Sequence, residues 1–121
     1  MDFPSNSKPI YLQIADFVCE RIASGQLKPE ERLLSVREYG AQIGVNPNTV
    51  ARTYERLSAD GIIYNQRGIG YFVAADAQQR IISQARQEFM STDLPQLAQR
   101  MRLLGIDLDT LSQTLAKLLA E

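Results

Sequence analysis

Asn46, Asn48, Thr49 and Arg52 place four hydrogen-bonding side chains within seven residues, with Pro47 set among them. Asparagine is a strong helix N-cap and proline a favoured first helical residue. The run therefore reads as a helix start that offers short polar side chains beside the free N–H groups of a first turn. Such groups can meet base edges or phosphates, and Arg52, one turn further on, can reach either. Arg37 sits inside Ser35-x-x-Glu38, a capping-box spacing, and is placed to hold a phosphate backbone from a second helix start. Arg67-Gly68 offers a guanidinium next to a residue that lets backbone approach backbone. Each has a plainer reading as well. Asn46 caps its own helix, Ser35 and Glu38 cap theirs, Arg52 with Glu55 or Arg56 forms a solvated face, and Arg67-Gly68 is a turn.

Other chemistry is poorly provided for. The 121 residues contain no histidine, which removes His-based triads and His metal sites. Cys19 is the single cysteine, so no internal disulfide forms, and its neighbours Phe17, Val18 and Ile22 predict a buried, inert thiol. Glu30 and Glu31 lie in a connector, while Asp107 and Asp109 open a helix. No nucleophile, phosphate-binding glycine loop or metal-ligand spacing accompanies either pair. The sequence thus predicts no catalytic residues, no metal and no cofactor. The first residues lack an apolar signal core, and no run approaches the roughly 18 apolar residues of a membrane span. The expected setting is a reducing cytoplasm.

The elements that must position these residues follow from periodicity. A first helix is predicted from Ser7 or Lys8, with Pro9 in its first turn and Ile10, Ile14, Phe17, Val18 and Ile22 at helical spacing up to Gly25. Residues 26–34 form a connector. The second helix runs from the Ser35 cap to Gly44 with Val36, Tyr39 and Ile43 on one face. The third starts at Asn46 and buries Val50, Tyr54 and Leu57. Gly61 fits the left-handed position beyond its end. The period then changes: Ile62–Asn65 and Gly70–Ala74 are β-rich runs around a glycine-containing turn, which is a hairpin. Two short helices joined by Ile43-Gly44-Val45-Asn46 are a helix-turn-helix, and the hairpin after them is a wing.

At Leu27 to Val73 the sequence resembles the GntR family of bacterial regulators. Ser35-Val36-Arg37-Glu38 followed by Gly44-Val45-Asn46-Pro47-Asn48-Thr49-Val50 is similar to the family's helix-turn-helix. Gly61-Ile62-Ile63 and Arg67-Gly68-Ile69-Gly70-Tyr71-Phe72-Val73 are similar to its wing. The Val-Asn-Pro-Asn-Thr-Val run and the short tail look most like the YtrA subfamily. Departures occur where Leu33-Leu34-Ser35 stands for the usual Leu-Pro-Ser, Pro29-Glu30 for Pro-Gly and Tyr39-Gly40 for Leu-Ala. Pro47 and Ala51 stand where some members carry arginines. The resemblance implies repression of an operon, commonly one encoding an ABC transporter. It carries a DNA-contacting role most directly to Arg37, Thr49, Arg52 and Gly68.

The expected architecture is mainly α with a small β-hairpin: a winged helix-turn-helix over residues 8–75 and a short α-helical dimerisation tail over 76–121. In the tail, Ile81, Ile82, Ala85 and Phe89 form one stripe, Ser91-Thr92-Asp93 is expected to break it and cap a new helix, and Gly105 with Asp107 makes a further stop and cap. The tail is too short to enclose a ligand cavity of about 300 Å³. Leu97, Met101, Leu104, Leu108, Leu111, Leu115 and Leu118 are expected to pack against their copies in a second chain; the alternative is that they fold back on the winged helix. The expected partners are double-stranded operator DNA, contacted by Ser35, Arg37, Asn46, Asn48, Thr49, Arg52, Arg67 and Gly68, and a second copy of the chain. Net charge is −1, and residues 1–75 carry eight Lys/Arg against eight Asp/Glu. A basic footprint can therefore exist only by segregation of charge between faces. That balance favours a rival reading, a winged helix that binds protein; steep loss of affinity for mixed DNA with rising salt separates the two.

Overall fold

The computed structural model describes residues 8–121. Its elements are α1 (Ile10–Ala23), α2 (Val36–Ile43), α3 (Pro47–Ala59), β1 (Ile63–Gln66), β2 (Gly70–Val73), α4 (Ala77–Glu88), a π-turn (Phe89–Asp93), α5 (Leu94–Leu104) and α6 (Leu108–Leu119). The chain divides into two compact units, one ending at Ser83 and one starting at Gln84. The division falls inside α4.

In the first unit, α1 and α2 both pack on α3, and the antiparallel hairpin follows behind it. α1 opens later than the sequence predicts. Pro9 is its N-cap, its carbonyl taking the N–H groups of Leu12 and Gln13; Ser7 lies outside the described residues. Ile14, Val18 and Ile22 of α1 are buried, whereas Ile10 and Phe17 of the predicted stripe stay exposed. α3 buries Val50, Tyr54 and Leu57, as their i, i+4, i+7 spacing requires. Cys19 is partly buried against this core, and burial, aided by the Asp16 charge, pushes its thiol up to about 11, which keeps it protonated and unreactive.

The hairpin pairs Ile63 with Val73 and Gln66 with Gly70. The connector does more than connect. Leu33 N–H donates to the Tyr71 carbonyl at 2.9 Å, Val73 N–H to that of Glu31 at 2.9 Å, and Arg32 bridges Phe72, so residues 30–33 line the outer edge of β2. A tight turn feeds this edge: Glu31 N–H donates to the Lys28 carbonyl at 3.0 Å, with Glu30 left-handed at φ 67. Proline followed by a left-handed residue is a type II arrangement that glycine would satisfy without strain. Here a glutamate holds it, tied by its N–H to Val73 and by its carboxylate to the Tyr64 hydroxyl.

In the second unit, the break expected at Ser91-Thr92-Asp93 does not form. Asp93 is helical at φ −68, ψ −43 and caps nothing. Leu94 N–H instead donates back five residues to Phe89, the wide ring of a π-turn. The cause is Pro95, which has no N–H and crowds the carbonyl four residues earlier in an ordinary helix. Widening the turn just before it lets the helical path continue. The later stop is as expected: Gly105 is left-handed at φ 66, and the Asp107 carboxylate accepts the Thr110 N–H at 2.8 Å. No described residue beyond Ala77 is buried. No helix is long and apolar enough, among the described residues, to cross a membrane.

Candidate nucleic-acid interface

The helix-turn-helix depends on how tightly α2 meets the start of α3. Gly44 ends α2 in the left-handed region at φ 72, which suits glycine. Val45 N–H closes the turn on the Gly40 carbonyl at 2.9 Å. A Cβ built on Gly40 would lie 2.6 Å from the Val45 carbonyl oxygen, so the backbones touch where only glycine leaves room. Nothing in the residues around Gly40 singles it out beyond its departure from a family pattern.

Ser35 caps α2 with a complete capping box. Its hydroxyl accepts the Glu38 N–H at 3.1 Å, and the Glu38 carboxylate accepts the Ser35 N–H at 3.1 Å. Donation to its carboxylate from Ser35, chiefly from the backbone N–H, holds the Glu38 carboxyl below its usual range. Arg37 is the second residue of α2 and is exposed. Asn46 caps α3, its Oδ1 accepting the Asn48 N–H at 2.8 Å, which leaves its amide NH₂ unspent by the cap.

Asn48, Thr49 and Arg52 come together. They form one wall of an open cleft of about 410 Å³ whose other wall is Pro9, Ile10 and Tyr11 at the start of α1. The Arg52 guanidinium lies 4.2 Å from the centre of the Tyr11 ring. Behind it, Thr53 is fully buried and donates its hydroxyl to the Tyr11 carbonyl at 2.7 Å, pinning α1 to α3. Tyr11 carried no signal in the sequence, because the partner that gives it meaning is 41 residues away. Arg67 and Gly68 occupy the exposed turn between β1 and β2, where Ile69 N–H donates to the Gln66 carbonyl at 2.9 Å and Gly68 has φ 79.

Among the described residues, ion pairs join Lys8 to Asp16, Arg56 to Asp60 and Arg80 to Asp76. Arg37, Arg52 and Arg67 are in none of them. The same residues include no cluster of three metal-ligating side chains. Leu97, Met101 and Leu104 lie on α5 and Leu108, Leu111, Leu115 and Leu118 on α6. Met101 and Leu111 are half-buried and the other five exposed, Leu108 by 71% and Leu104 by 60%.

Known proteins share this arrangement. The sequence profile of the bacterial regulatory proteins of the gntR family matches residues 10–73. The HTH-type transcriptional repressor YtrA of Bacillus subtilis is 32% identical over 98% of this chain and 90% of its own. A GntR-family regulator from Bacteroides thetaiotaomicron superposes with a TM-score of 0.81 at 38% identity, over 93% of this chain and 97% of that one. The AraR DNA-binding domain, solved in complex with operator ORR3, matches 61% of this chain and 93% of its own at 27% identity and a TM-score of 0.52. The capped α2, the glycine-closed turn, the α3 start and the wing thus lie inside the matched region, and the chain belongs to the GntR family of bacterial transcriptional regulators, with a winged helix-turn-helix made to bind DNA.

Proposed function

We propose that this chain is a cytoplasmic repressor that binds a palindromic operator as a homodimer, with the start of α3 in the major groove. Resemblance to the YtrA branch makes a transporter operon its target. The observation that carries the reading is the gathering of Asn48, Thr49 and Arg52 on one exposed wall at the start of α3. In this docking Asn48, Thr49 and Arg52 face base edges, while Ser35, Arg37 and Asn46 hold phosphates from the two helix starts. Arg67 and Gly68 bring the wing against the neighbouring backbone.

The dimer rests on the tail. Leu97, Met101, Leu104, Leu108, Leu111, Leu115 and Leu118 supply apolar faces that the single chain leaves largely uncovered, and such faces are what a two-fold interface covers. Two copies would present their recognition helices about 34–36 Å apart, one turn of duplex. The domain boundary that fits this division of labour is 8–75 for DNA and 76–121 for dimerisation.

Selection of bound sequences from a random duplex pool tests these points together. The expected product is a two-fold symmetric site with half-sites one turn apart. On that site Arg52→Ala should weaken binding and relax one position, whereas Arg37→Ala should weaken binding to all sequences and flatten the salt slope by about one unit. Enrichment of no sequence, or a single asymmetric half-site bound by a monomer, would overturn the reading.

A further inference from the structure

Arginine is a costly reader of bases. Its side chain has many rotamers, and each one frozen on binding subtracts from affinity. Arg52 is already restrained here. Its guanidinium lies 4.2 Å from the Tyr11 ring centre, within the range where the ring face attracts a cation and the planar group stacks. The seat itself is firm, because the Tyr11 backbone is held to α3 by the buried Thr53 hydroxyl at 2.7 Å. Thr53 also reaches the Thr49 carbonyl at 3.3 Å, so the anchor and the recognition residues share one turn of helix. Among the described residues the cleft between Tyr11 and the Asn48–Thr49–Arg52 wall is open, and Arg52 is exposed to a ligand entering it.

We infer that Tyr11 is a positioning residue for DNA recognition: its ring holds Arg52 in one orientation before the duplex arrives, and this sharpens sequence discrimination. The inference rests on the proposed docking of α3. Tyr11 need not touch a base to act. By shortening the list of poses open to Arg52, it reduces the entropy lost on the cognate site. On unrelated DNA, Arg52 makes no fixed base contact, so the restraint gains nothing there.

Two substitutions separate the ring from the hydroxyl. Tyr11→Phe keeps the aromatic face, and Tyr11→Leu keeps apolar bulk without it. Binding of the full chain to its selected duplex and to an unrelated duplex is measured by fluorescence anisotropy for both variants, for Arg52→Gln and for Tyr11→Leu with Arg52→Gln. Tyr11→Phe should match the parent on both duplexes. Tyr11→Leu should lose about fivefold on the selected duplex and almost nothing on the unrelated one. Added to Arg52→Gln it should cost nothing further. Equal loss on both duplexes, or full additivity in the double variant, would overturn the inference. The contact is also read without DNA: the Arg52 side-chain NMR signals should carry an upfield ring-current shift that Tyr11→Leu removes. Absence of that shift sinks the positioning role while leaving DNA binding intact. A parent that shows the shift but binds no duplex sinks the docking itself, and the role with it.

Discussion

α3 and α6 are almost the same helix on paper. They have 13 and 12 residues, each opens on an Asn or Asp cap, and each carries an apolar stripe. α3 buries Val50, Tyr54 and Leu57 to within 2% exposure, while α6 buries nothing and leaves Leu118 56% exposed. An amphipathic stripe announces that a face will be covered; it does not say by what. For α3 the cover comes from α1, α2 and the strand that follows. For α6 the chain itself leaves the face open, and the proposed second copy supplies the cover.

Paired truncations should show this contrast at its largest. Leu57→Ala removes a fully packed side chain and should lower unfolding free energy by about 3 kcal/mol. Leu103→Ala, at a site 84% exposed, should stay within about 0.5 kcal/mol. Urea unfolding followed by circular dichroism measures both. Similar costs at the two sites would mean that Leu103 is covered in the protein as it exists in solution, and the comparison between the units would have to be redrawn.

Gly40 sharpens the contrast from the other side, since it marks how little slack the winged unit has. Replacing a helical glycine with alanine ordinarily gains up to about 1 kcal/mol. Here the added Cβ meets the Val45 carbonyl at 2.6 Å, and relief requires moving the backbone that sets α3 against α2. Overpacking of this kind costs about 1–3 kcal/mol, so the clash should win and Gly40→Ala should be net destabilising by about 1 kcal/mol. A gain in thermal midpoint would show that the turn has room the geometry denies.

The readable parts of the sequence were those with local causes. Ser35 with Glu38, Asn46 with Pro47, and Gly44 each fix an element end through neighbours a few residues away, and the structure has all three. The buried face of α3 was equally plain, because its period repeats within one helix. What escaped has causes distant in sequence or in competition. Residues 30–33 become a sheet edge because β2, some 40 residues on, offers unpaired carbonyls and N–H groups. Tyr11 gains a role from Arg52, which no window around either residue contains. At Ser91-Thr92-Asp93 two local signals for a stop lost to continuation of the helix. The polar trio and Pro95 both favour a stop, yet one wide turn accommodates the proline and the helical path goes on.

A smaller effect tests whether the two units share their end-capping physics despite their different cores. Ser35 satisfies the N-terminus of α2, and Ser35→Ala should cost the winged unit about 1 kcal/mol. Asp107 does the same for α6, and Asp107→Ala should loosen the first turn of that helix. Hydrogen–deuterium exchange resolves the sites: each substitution should raise exchange in its own first turn and leave the other helix unchanged.

Acid provides the finest version of the same comparison. Bonds from the Ser35 N–H hold Glu38 below its ordinary 4.5, and bonds from Thr110 hold Asp107 below its ordinary 3.8. A carboxyl depressed on folding contributes stability that is complete above its unfolded value and is lost as pH falls through the folded one. The α2 cap therefore begins to weaken below about pH 4.5, and the α6 cap only below about 3.8. Carbon-detected NMR titration should show both carboxyls titrating below those values. Ser35→Ala keeps the backbone N–H and removes only the hydroxyl, so it should return Glu38 only part of the way toward its ordinary value and leave Asp107 where it was. If Glu38 titrates at its ordinary value in the parent protein, the reciprocal bond from the Ser35 backbone is not formed in solution, and the cap of α2 is the weaker, one-sided kind.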